Sequence, residues 1–575
     1  MSKPPKMHDY SACGPQSTND ALGPPASGEP LASRIVAFWT RDYLAQPAAL
    51  AALGALFAGY LTYLFLLGPA PSTLYGNDAF LYLDGGWRLL NGQAPNHDFY
   101  LSLGPIIYMV VAAGLRLAHN SASGLMIGFL SFGAVIAVFA FLISRPRMTA
   151  AGSILFSTFI LLLCTAPMPL GAHSSLDLSY AMIYNRFGYG LLSILFVAQL
   201  LAPQKLAARA RQEWFAGMVS GAILPVLFFL KISYFGVGAA FTLLTTLAFA
   251  DLRTVRRLLA TACGLVPITL AMLAFLRFDV GALGHDLADT IRARSARISH
   301  FGIADVFDPS TASLLALAVA LCFLGLKDAG GRNRIWLSAA AIYTILAEAL
   351  FVRTNSIHAY VFPLYAVFTF ILLADLGNTL RTGQRISAAF AAALIVIGLS
   401  LMAQLFFDHI RSLALLTTYK TNTGLRAAAY RVEGEHLRSL AFYDRGDESD
   451  LARQENGRFY TAYLNDGIDL LKKYSTSSDI VASLSFHDPF PYALLRRPPR
   501  AGSTWLLLDN NISAGHMLSD ARMFGDATVV MTPKYLPTTH ATSDELLFRE
   551  YGPYLLSHFT FVAESDHWRL YRRRE

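Results

Sequence analysis

The sequence predicts an α-helical polytopic membrane protein with a small C-terminal α/β domain, and three observations carry that reading. Of the 575 residues, 54% are hydrophobic and only 15% charged, with a mean hydropathy of +0.42, too apolar for an ordinary soluble protein of this length. Long apolar runs recur between residues 47 and 407. Residues 408–575 lose that pattern and alternate short apolar segments with polar turns.

The first 46 residues contain Pro4, Pro5, Pro15, Pro24, Pro25 and Pro30 among Ser, Gly and Asn. Such a composition buries too little apolar surface to order itself, so 1–46 is expected to be a disordered cytoplasmic tail. It is not a cleavable signal peptide, because no apolar core follows a short basic start.

A helix needs roughly 17–25 predominantly apolar residues to cross a bilayer. By that rule spans are expected near 47–69, 122–143, 150–168, 188–202, 214–230, 234–250, 258–276, 312–326, 335–352, 358–374 and 387–407, about eleven in all. Segment 104–118 is apolar but only 15 residues long and carries Arg116. Charge asymmetry decides its placement. If it lies in the interface, loops 144–149, 203–213, 251–257, 327–334 and 375–386 share one side, with thirteen Lys and Arg against Glu213, Asp251, Asp328 and Asp375. The positive-inside bias makes that side the cytoplasm. The net charge of +7 is therefore a topology signal and not a nucleic-acid footprint, since the basic residues form no stripe.

The opposite face carries loops 70–121, 169–187, 277–311 and 353–357, together with 408–575. In that last stretch Ser478–Phe486 and Ala527–Met531 read as short strands, and Ser543–Tyr551 as a capped helix. Phe559–Ala563 and Trp568–Tyr571 read as a closing hairpin. Membrane part 47–407 and domain 408–575 are the expected units. Cys164, Cys263 and Cys322 fall inside apolar runs and Cys13 in the tail, without metal-ligand spacing. There is no Gly-rich phosphate loop; Gly85-Gly86 and Gly330-Gly331 read as turns.

Chemistry is expected in the first outer loop. Gly76-Asn77-Asp78-Ala79-Phe80 places an acidic residue at a membrane boundary, followed by Asn91-Gly92-Gln93-Ala94-Pro95, His97-Asp98-Phe99-Tyr100 and Gly104-Pro105. An ionisable group there is costly without a purpose. The acidic opening, the interfacial stretch 79–90, the Gly92 to Pro95 turn, the Asp98-Phe99 step and Gly104-Pro105 resemble the first loop of the GT-C superfamily of glycosyltransferases. The resemblance is to the bacterial branch related to protein O-mannosyltransferases and lipid A sugar transferases, and it covers about the first 200 residues.

The resemblance implies transfer of a hexosyl or pentosyl group from a polyprenyl-phosphate donor to a lipid, glycan or protein acceptor, with inversion at the anomeric carbon. The place of reaction would be the outer face of the bacterial inner membrane. A lipid-linked donor removes the need for a nucleotide-binding unit, and none is visible. What remains necessary is a base for the acceptor hydroxyl, a cation for the departing phosphate and an apolar groove for the prenyl chain.

Asp78 is the expected base, because its i+3 and i+4 neighbours are Leu81 and Tyr82 and no local cation explains it; its bland reading is a helix N-cap. Asp84 and Arg88 have the spacing of a plain i,i+4 pair. Asp177, before Tyr184-Asn185-Arg186-Phe187, resembles a second acid that some family members carry at a comparable place; it could share a divalent ion (magnesium or manganese) with Asp78 or hold the acceptor, and its bland reading is a loop residue or a partner of Arg186. His97 and Asp98 shape the turn. Candidates for the donor phosphate are Lys231, which ends an apolar run and could instead snorkel, and Arg353 and His358, which bracket a short outer loop and resemble positions that approach the lipid phosphate in the GT-C family. Arg294 and Arg297 share a face of an expected helix 283–298, opposite a membrane-facing stripe of Leu283, Leu287 and Ile291; that face could equally meet anionic lipid heads.

Rival readings are a transporter or lipid flippase, a polymerase or ligase of lipid-linked glycans, and a non-catalytic assembly protein of the envelope. A transporter is expected to show paired halves or charges near mid-span, and here the charges lie at span ends. A polymerase is expected to gather its polar residues in a late outer loop, and here they lie in the first.

Overall fold

The computed structural model describes residues 47–167, 177–203, 209–298, 347, 403, 406–444, 457–534 and 541–575. The expected tail and the expected spans at 312–326, 335–352 and 358–374, with most of 387–407, lie outside the described residues, as do Cys13, Cys322 and Gly330-Gly331. The helices of the membrane part are α1 (Pro47–Leu67), α2 (Asn77–Leu90), α3 (Ile106–Leu117), α4 (Gly124–Ser144), α5 (Ala150–Thr165), α6 (Ile183–Leu200), α7 (Arg209–Leu230), α8 (Ile232–Ala248), α9 (Val255–Phe275) and α10 (Val280–Ile298). A further helix, α11, covers 406–421.

Among the described residues four helices, α1, α4, α7 and α9, are long and apolar enough to cross a membrane. At 1.5 Å per residue, the 21 residues of α4 reach about 31 Å, the thickness of the hydrocarbon core. α5 and α8 are apolar but shorter. The α1 surface is exposed almost throughout, with Leu56 and Leu66 outermost, as suits a helix facing lipid. α3 has 12 residues and reaches about 18 Å, too short to cross. It lies beside α2 and α4, as expected of an interfacial segment.

Two expectations about this region change. Gly85 and Gly86 form no turn. They lie inside α2, where a Cβ on Gly85 would stand 2.0 Å from the Tyr108 ring of α3; the missing side chain is what lets the two helices touch. Tyr184, Asn185 and Arg186 belong to no loop either, since α6 begins at Ile183 and draws them into its first turn, with Asn185 and Arg186 buried.

The two ends of the membrane part differ in chemistry. At one end Glu213 accepts from Arg257 at 2.9 Å and faces Arg147 at 3.8 Å, while Arg209 pairs with Asp251 at 3.0 Å. Arg147, Arg209, Glu213, Asp251 and Arg257, from three of the expected basic loops, therefore gather at one end. At the other end lie the first loop, residues 177–182 and the 277–279 turn, linked by His97–Asp279 at 2.8 Å and Arg277–Asp98 at 3.3 Å.

The C-terminal part stands on that second end. Its strands β1 (Val481–Ser483), β2 (Val529–Pro533), β3 (Phe559–Glu564) and β4 (Trp568–Arg573) form a sheet of order β1-β2-β4-β3. β1 and β2 run parallel and the other pairs antiparallel. Helices α12 (Gly457–Tyr474) and α13 (Ala541–His558) flank it. Val529 and Met531 enter one apolar cluster and Val530 another. Both faces are thus covered, which explains the uninterrupted apolar run. Trp87 Nε1 donates to the Arg496 carbonyl at 2.6 Å, and the Tyr100 amide to that of Gly502 at 2.9 Å. The first loop is the seat of the C-terminal domain.

Candidate active site

The approach to α2 is held from two sides. The Ser72 amide donates to the Ala441 carbonyl at 2.8 Å and the Tyr443 amide to the Ser72 carbonyl at 3.0 Å. The Thr73 amide donates to the Leu178 carbonyl at 2.9 Å, and the Leu178 amide returns to Thr73 Oγ1 at 2.9 Å. Asp177, buried at 3% exposure, thereby stands next to the strand-like segment that leads into Asp78.

Asp78 lies in the first turn of α2, half-buried. The cap position is Gly76, with no side-chain cap bond, so Asp78 is not the N-cap of its bland reading. The helix dipole favours a negative charge there. Its carboxylate acts on Tyr82, one turn on, and on Tyr108 of α3. Burial pushes both phenols up, and the charges of Asp78 and of Tyr184 push the same way. Both phenols are thereby held protonated, and the Tyr108 hydroxyl meets Thr504 Oγ1 of the C-terminal domain at 3.0 Å.

Lys231 is the bend between α7 and α8, with extended backbone and 5% exposure. Its ammonium does not snorkel to the surface. It donates to Asn185 Oδ1 at 3.3 Å, an oxygen that also accepts from the Tyr234 hydroxyl at 3.1 Å. It sits 5.1 Å from the Tyr184 ring centre and 5.8 Å from that of Tyr234, within cation–π range. Tyr184, against whose ring the ammonium rests, also acts by its charge on Tyr82 and Tyr108. The first loop reaches this bend directly, since the Gly104 amide donates to the Leu230 carbonyl at 3.2 Å. A Cβ at Gly104 would stand 1.9 Å from the Phe229 carbonyl oxygen, so only glycine permits the approach.

Below the bend lies an apolar groove of about 490 Å³ between α4, α6, α7 and α9, lined by Phe132, Phe139, Leu191, Met218, Val226 and Pro267 among others. Val226 is five residues before Lys231, about 7.5 Å along the helix axis. The arrangement supplies a carboxylate, a buried cation, hydroxyl donors and an apolar slot.

The expected Asp84–Arg88 pair forms, at 2.8 Å, but it is no surface pair: the two side chains are 1% and 0% exposed. Arg88 also faces Asp488 at 3.5 Å and donates to the carbonyls of Pro499 and Ala501 at 3.1 and 2.8 Å. Ser483 donates to Asp488 at 2.7 Å. Two acids thus share one guanidinium across the seam between α2 and the C-terminal domain. Burial outweighs the pull of Arg88 and pushes Asp84 up to about 6 and Asp488 up to about 7.

α10 corrects another expectation. Leu283 is buried and Leu287 packs beside it, while Ile291 alone of the expected stripe is exposed. The reason is Asp286, fully buried on the same face. It accepts from Asn96 at 2.9 Å, the Leu101 amide at 3.1 Å and Arg522 at 2.8 Å, which turns this face toward the protein and not toward lipid. Arg294 and Arg297 lie on α10, their side chains outside the described set; Arg353 and His358 lie outside the described residues altogether. Arg186, buried, donates from Nη1 to the Ala166 carbonyl. His97 and Asp98 hold the turn as expected, Asp98 accepting from the Ala94 amide at 2.7 Å.

Sequence reasoning named Asp78 and Lys231 as candidates but not the tyrosines beside them. Tyr82 stands at i+4 from Asp78, and Tyr184 opens a Tyr-Asn-Arg step after Asp177; both were visible as positions without a visible role. Among the described residues no group of three His, Cys, Asp or Glu is placed to hold a metal ion.

No protein-family model matches the chain, and no curated protein matches it. Among solved structures it is similar to ArnT from Cupriavidus metallidurans in the apo state, with 13% identity and a TM-score of 0.38 over 91% of this chain and 98% of that one. It is likewise similar to ArnT of the same organism bound to undecaprenyl phosphate, with 11% identity and a TM-score of 0.35 over 91% and 97% of the two chains.

Proposed function

We propose that this chain is a membrane glycosyltransferase that moves a sugar from a polyprenyl-phosphate donor to an acceptor hydroxyl at the outer face of the bacterial inner membrane. The observation that supports this reading is the buried Lys231 ammonium at the α7–α8 junction, 5.1 Å from the Tyr184 ring, held by the first loop that carries Asp78 and followed along α7 by an apolar groove. Asp78 takes the proton of the acceptor hydroxyl. The acceptor oxygen attacks the anomeric carbon, and the bond from that carbon to the phosphate oxygen breaks with inversion. Its electrons leave on the polyprenyl phosphate, whose charge Lys231 offsets in a site with little water. The prenyl chain follows the groove along α7.

A divalent ion, magnesium or manganese, fits the two carboxylates Asp78 and Asp177 only if water or substrate oxygens complete its shell, as hard cations of this kind accept. It would supply charge for the donor phosphate. Restoration of chelator-treated protein by either ion tests that part separately. The whole reading is tested by incubating purified full-length protein with native envelope lipid extract and following both products by mass spectrometry. A polyprenyl-phosphate sugar consumed in step with a glycosylated acceptor supports it; lipid translocation without bond breakage overturns it in favour of a flippase.

A further inference from the structure

The outer end of α11 carries an unusual group of charges. Lys420 is half-buried, and its neighbours in charge are Arg431 and Arg426, with no carboxylate among the groups acting on it. Burial and these two cations push its ammonium down to about 8. Among the described residues none of the three pairs with an acid. Arg431 donates from one guanidinium nitrogen to the carbonyls of Arg438 and Leu440, at 2.6 and 3.2 Å, which fixes its position and keeps its charge. Tyr443 lies within the field of both arginines, its ring 4.4 Å from that of Tyr419.

The surroundings select the kind of anion. A Cβ on Gly68 would stand 4.0 Å from the Lys420 Nζ, so the ammonium hangs over the turn that ends α1. Leu66 of α1 is 82% exposed, on a helix long and apolar enough to cross a membrane. Lys420 lies directly beyond the end of that helix, where a lipid phosphate stands relative to its own hydrocarbon chain.

We propose that Lys420, Arg426 and Arg431 form a binding site for the phosphate of a lipid headgroup, at the end of the membrane part that carries the C-terminal domain. The site is distinct from the Asp78 cleft and does not depend on the transferase reading. It is nevertheless connected to that cleft. The chain passing beneath Lys420 continues through Ala70 and Ser72, which with Tyr75, Ala79, Leu440 and Phe442 line a small cavity at the start of α2. A phosphorylated lipid seated on the three cations would rest against the segment that positions Asp78. The bland alternative is that Lys420 only offsets the negative C-terminal end of the α1 dipole.

Native mass spectrometry of the full-length protein in an uncharged detergent separates these cases. The probes are dioleoyl phosphatidic acid, dioleoyl phosphatidylcholine, glycerol 3-phosphate and inorganic phosphate. The expected result is retention of phosphatidic acid over phosphatidylcholine, reduced about tenfold or more in the Lys420→Gln/Arg431→Gln variant, as loss of charge-assisted contacts requires. Lys420→Arg, which keeps charge, should retain the lipid and guards against a folding defect. Equal retention by wild type and the double variant, or no preference over phosphatidylcholine, overturns the site and leaves the dipole reading. Displacement by glycerol 3-phosphate or inorganic phosphate as effective as by phosphatidic acid overturns the lipid source and assigns the patch to a soluble phosphate compound.

Discussion

The amide of Gly104 donates to the carbonyl of Leu230, one residue before Lys231. A loop that follows α2 in sequence is thereby fastened to the junction of two helices more than a hundred residues on. The bond sets the distance between the expected base and the expected phosphate cation, because Asp78 rides on the same loop.

Gly104→Ala tests that fastening. Its Cβ would stand 1.9 Å from the Phe229 carbonyl oxygen, and a backbone atom cannot rotate away, so the loop must lift from the α7 end. We expect destabilisation of about 1–3 kcal/mol, read by thermal unfolding, with a loss of turnover larger than the loss of folded protein. Gly284→Ala, which meets no atom within 4 Å, should leave both unchanged. Wild-type turnover in Gly104→Ala would show that the loop and the Lys231 bend act independently.

Lys231→Gln removes the cation and keeps a donor for Asn185. If Lys231 meets the donor phosphate, apparent affinity for the lipid-linked sugar should fall by about 1.5–3 kcal/mol, the value of a hydrogen bond to a charged group. Protein yield in the membrane should hold, since the remaining amide still reaches the Asn185 oxygen. Unchanged donor affinity would move the phosphate site to Arg353, His358 or the Arg294/Arg297 face.

Much of the architecture was legible because lipid imposes a simple rule on composition: apolar runs of sufficient length become helices, and basic loops share a side. The meeting of Arg147 and Arg257 on Glu213 is that rule seen in three dimensions. Asp78 stood out because a carboxylate at a membrane boundary is costly, and the structure places it in the first turn of α2. What the sequence hid is tertiary. Asp84 and Arg88 have the spacing of any solvated pair, and only the arrival of Asp488, 400 residues later, makes them a buried cluster. Gly85 could not be read as a helix contact without knowing that Tyr108 lies opposite. The packing of the Lys231 ammonium against Tyr184 and Tyr234 joins separate helices, so no local pattern announces it.

The buried cluster predicts a pH dependence of stability. Folded Asp84 and Asp488 are pushed up to about 6 and about 7, above the unfolded carboxyl value of roughly 4. The folded chain therefore holds protons that the unfolded chain has released, and the slope of stability with pH is negative in that window. This contribution is complete below about pH 4 and is lost as pH rises through about 7. Thermal unfolding should show it as a lower melting temperature at pH 8 than at pH 5, with the difference reduced in Asp488→Asn. An identical slope in that variant would place the titrating groups elsewhere. Arg88→Leu should cost roughly 3–5 kcal/mol, because two buried acids lose their common partner.

The sidedness of the chain is testable without any activity. Loops 144–149 and 203–213 meet at the Glu213 end, whereas Asp177 and the C-terminal domain lie at the end of the first loop. Reporters fused after Met148 and after Arg209 should read cytoplasm, and fusions at Asp177 and Ser475 the outer side. A cytoplasmic reading at Asp177 would invert the arrangement and remove the outer-face reaction.

Asp78→Asn is the sharpest test of the enzymatic reading. The substitution keeps the size of the side chain in the first turn of α2 and removes only the charge that accepts a proton. Folding should be spared, because the cap of α2 is Gly76 and the helix does not depend on an Asp78 cap bond. Turnover should fall by roughly two or more orders of magnitude, the usual cost of losing a general base. Asp84→Asn is unsuitable as the mild control, since Asp84 belongs to the buried cluster. Asp469→Asn serves instead: its side chain is 64% exposed and among the described residues it pairs with Lys472 alone, at 3.7 Å, a contact that contributes little. Three readings are needed together, namely turnover, melting temperature and retention of the donor lipid. Lost turnover with the melting temperature and donor lipid retained identifies Asp78 as the base. Lost turnover with a lowered melting temperature makes the carboxylate structural. Undiminished turnover removes Asp78 as the base and leaves its carboxylate a structural one.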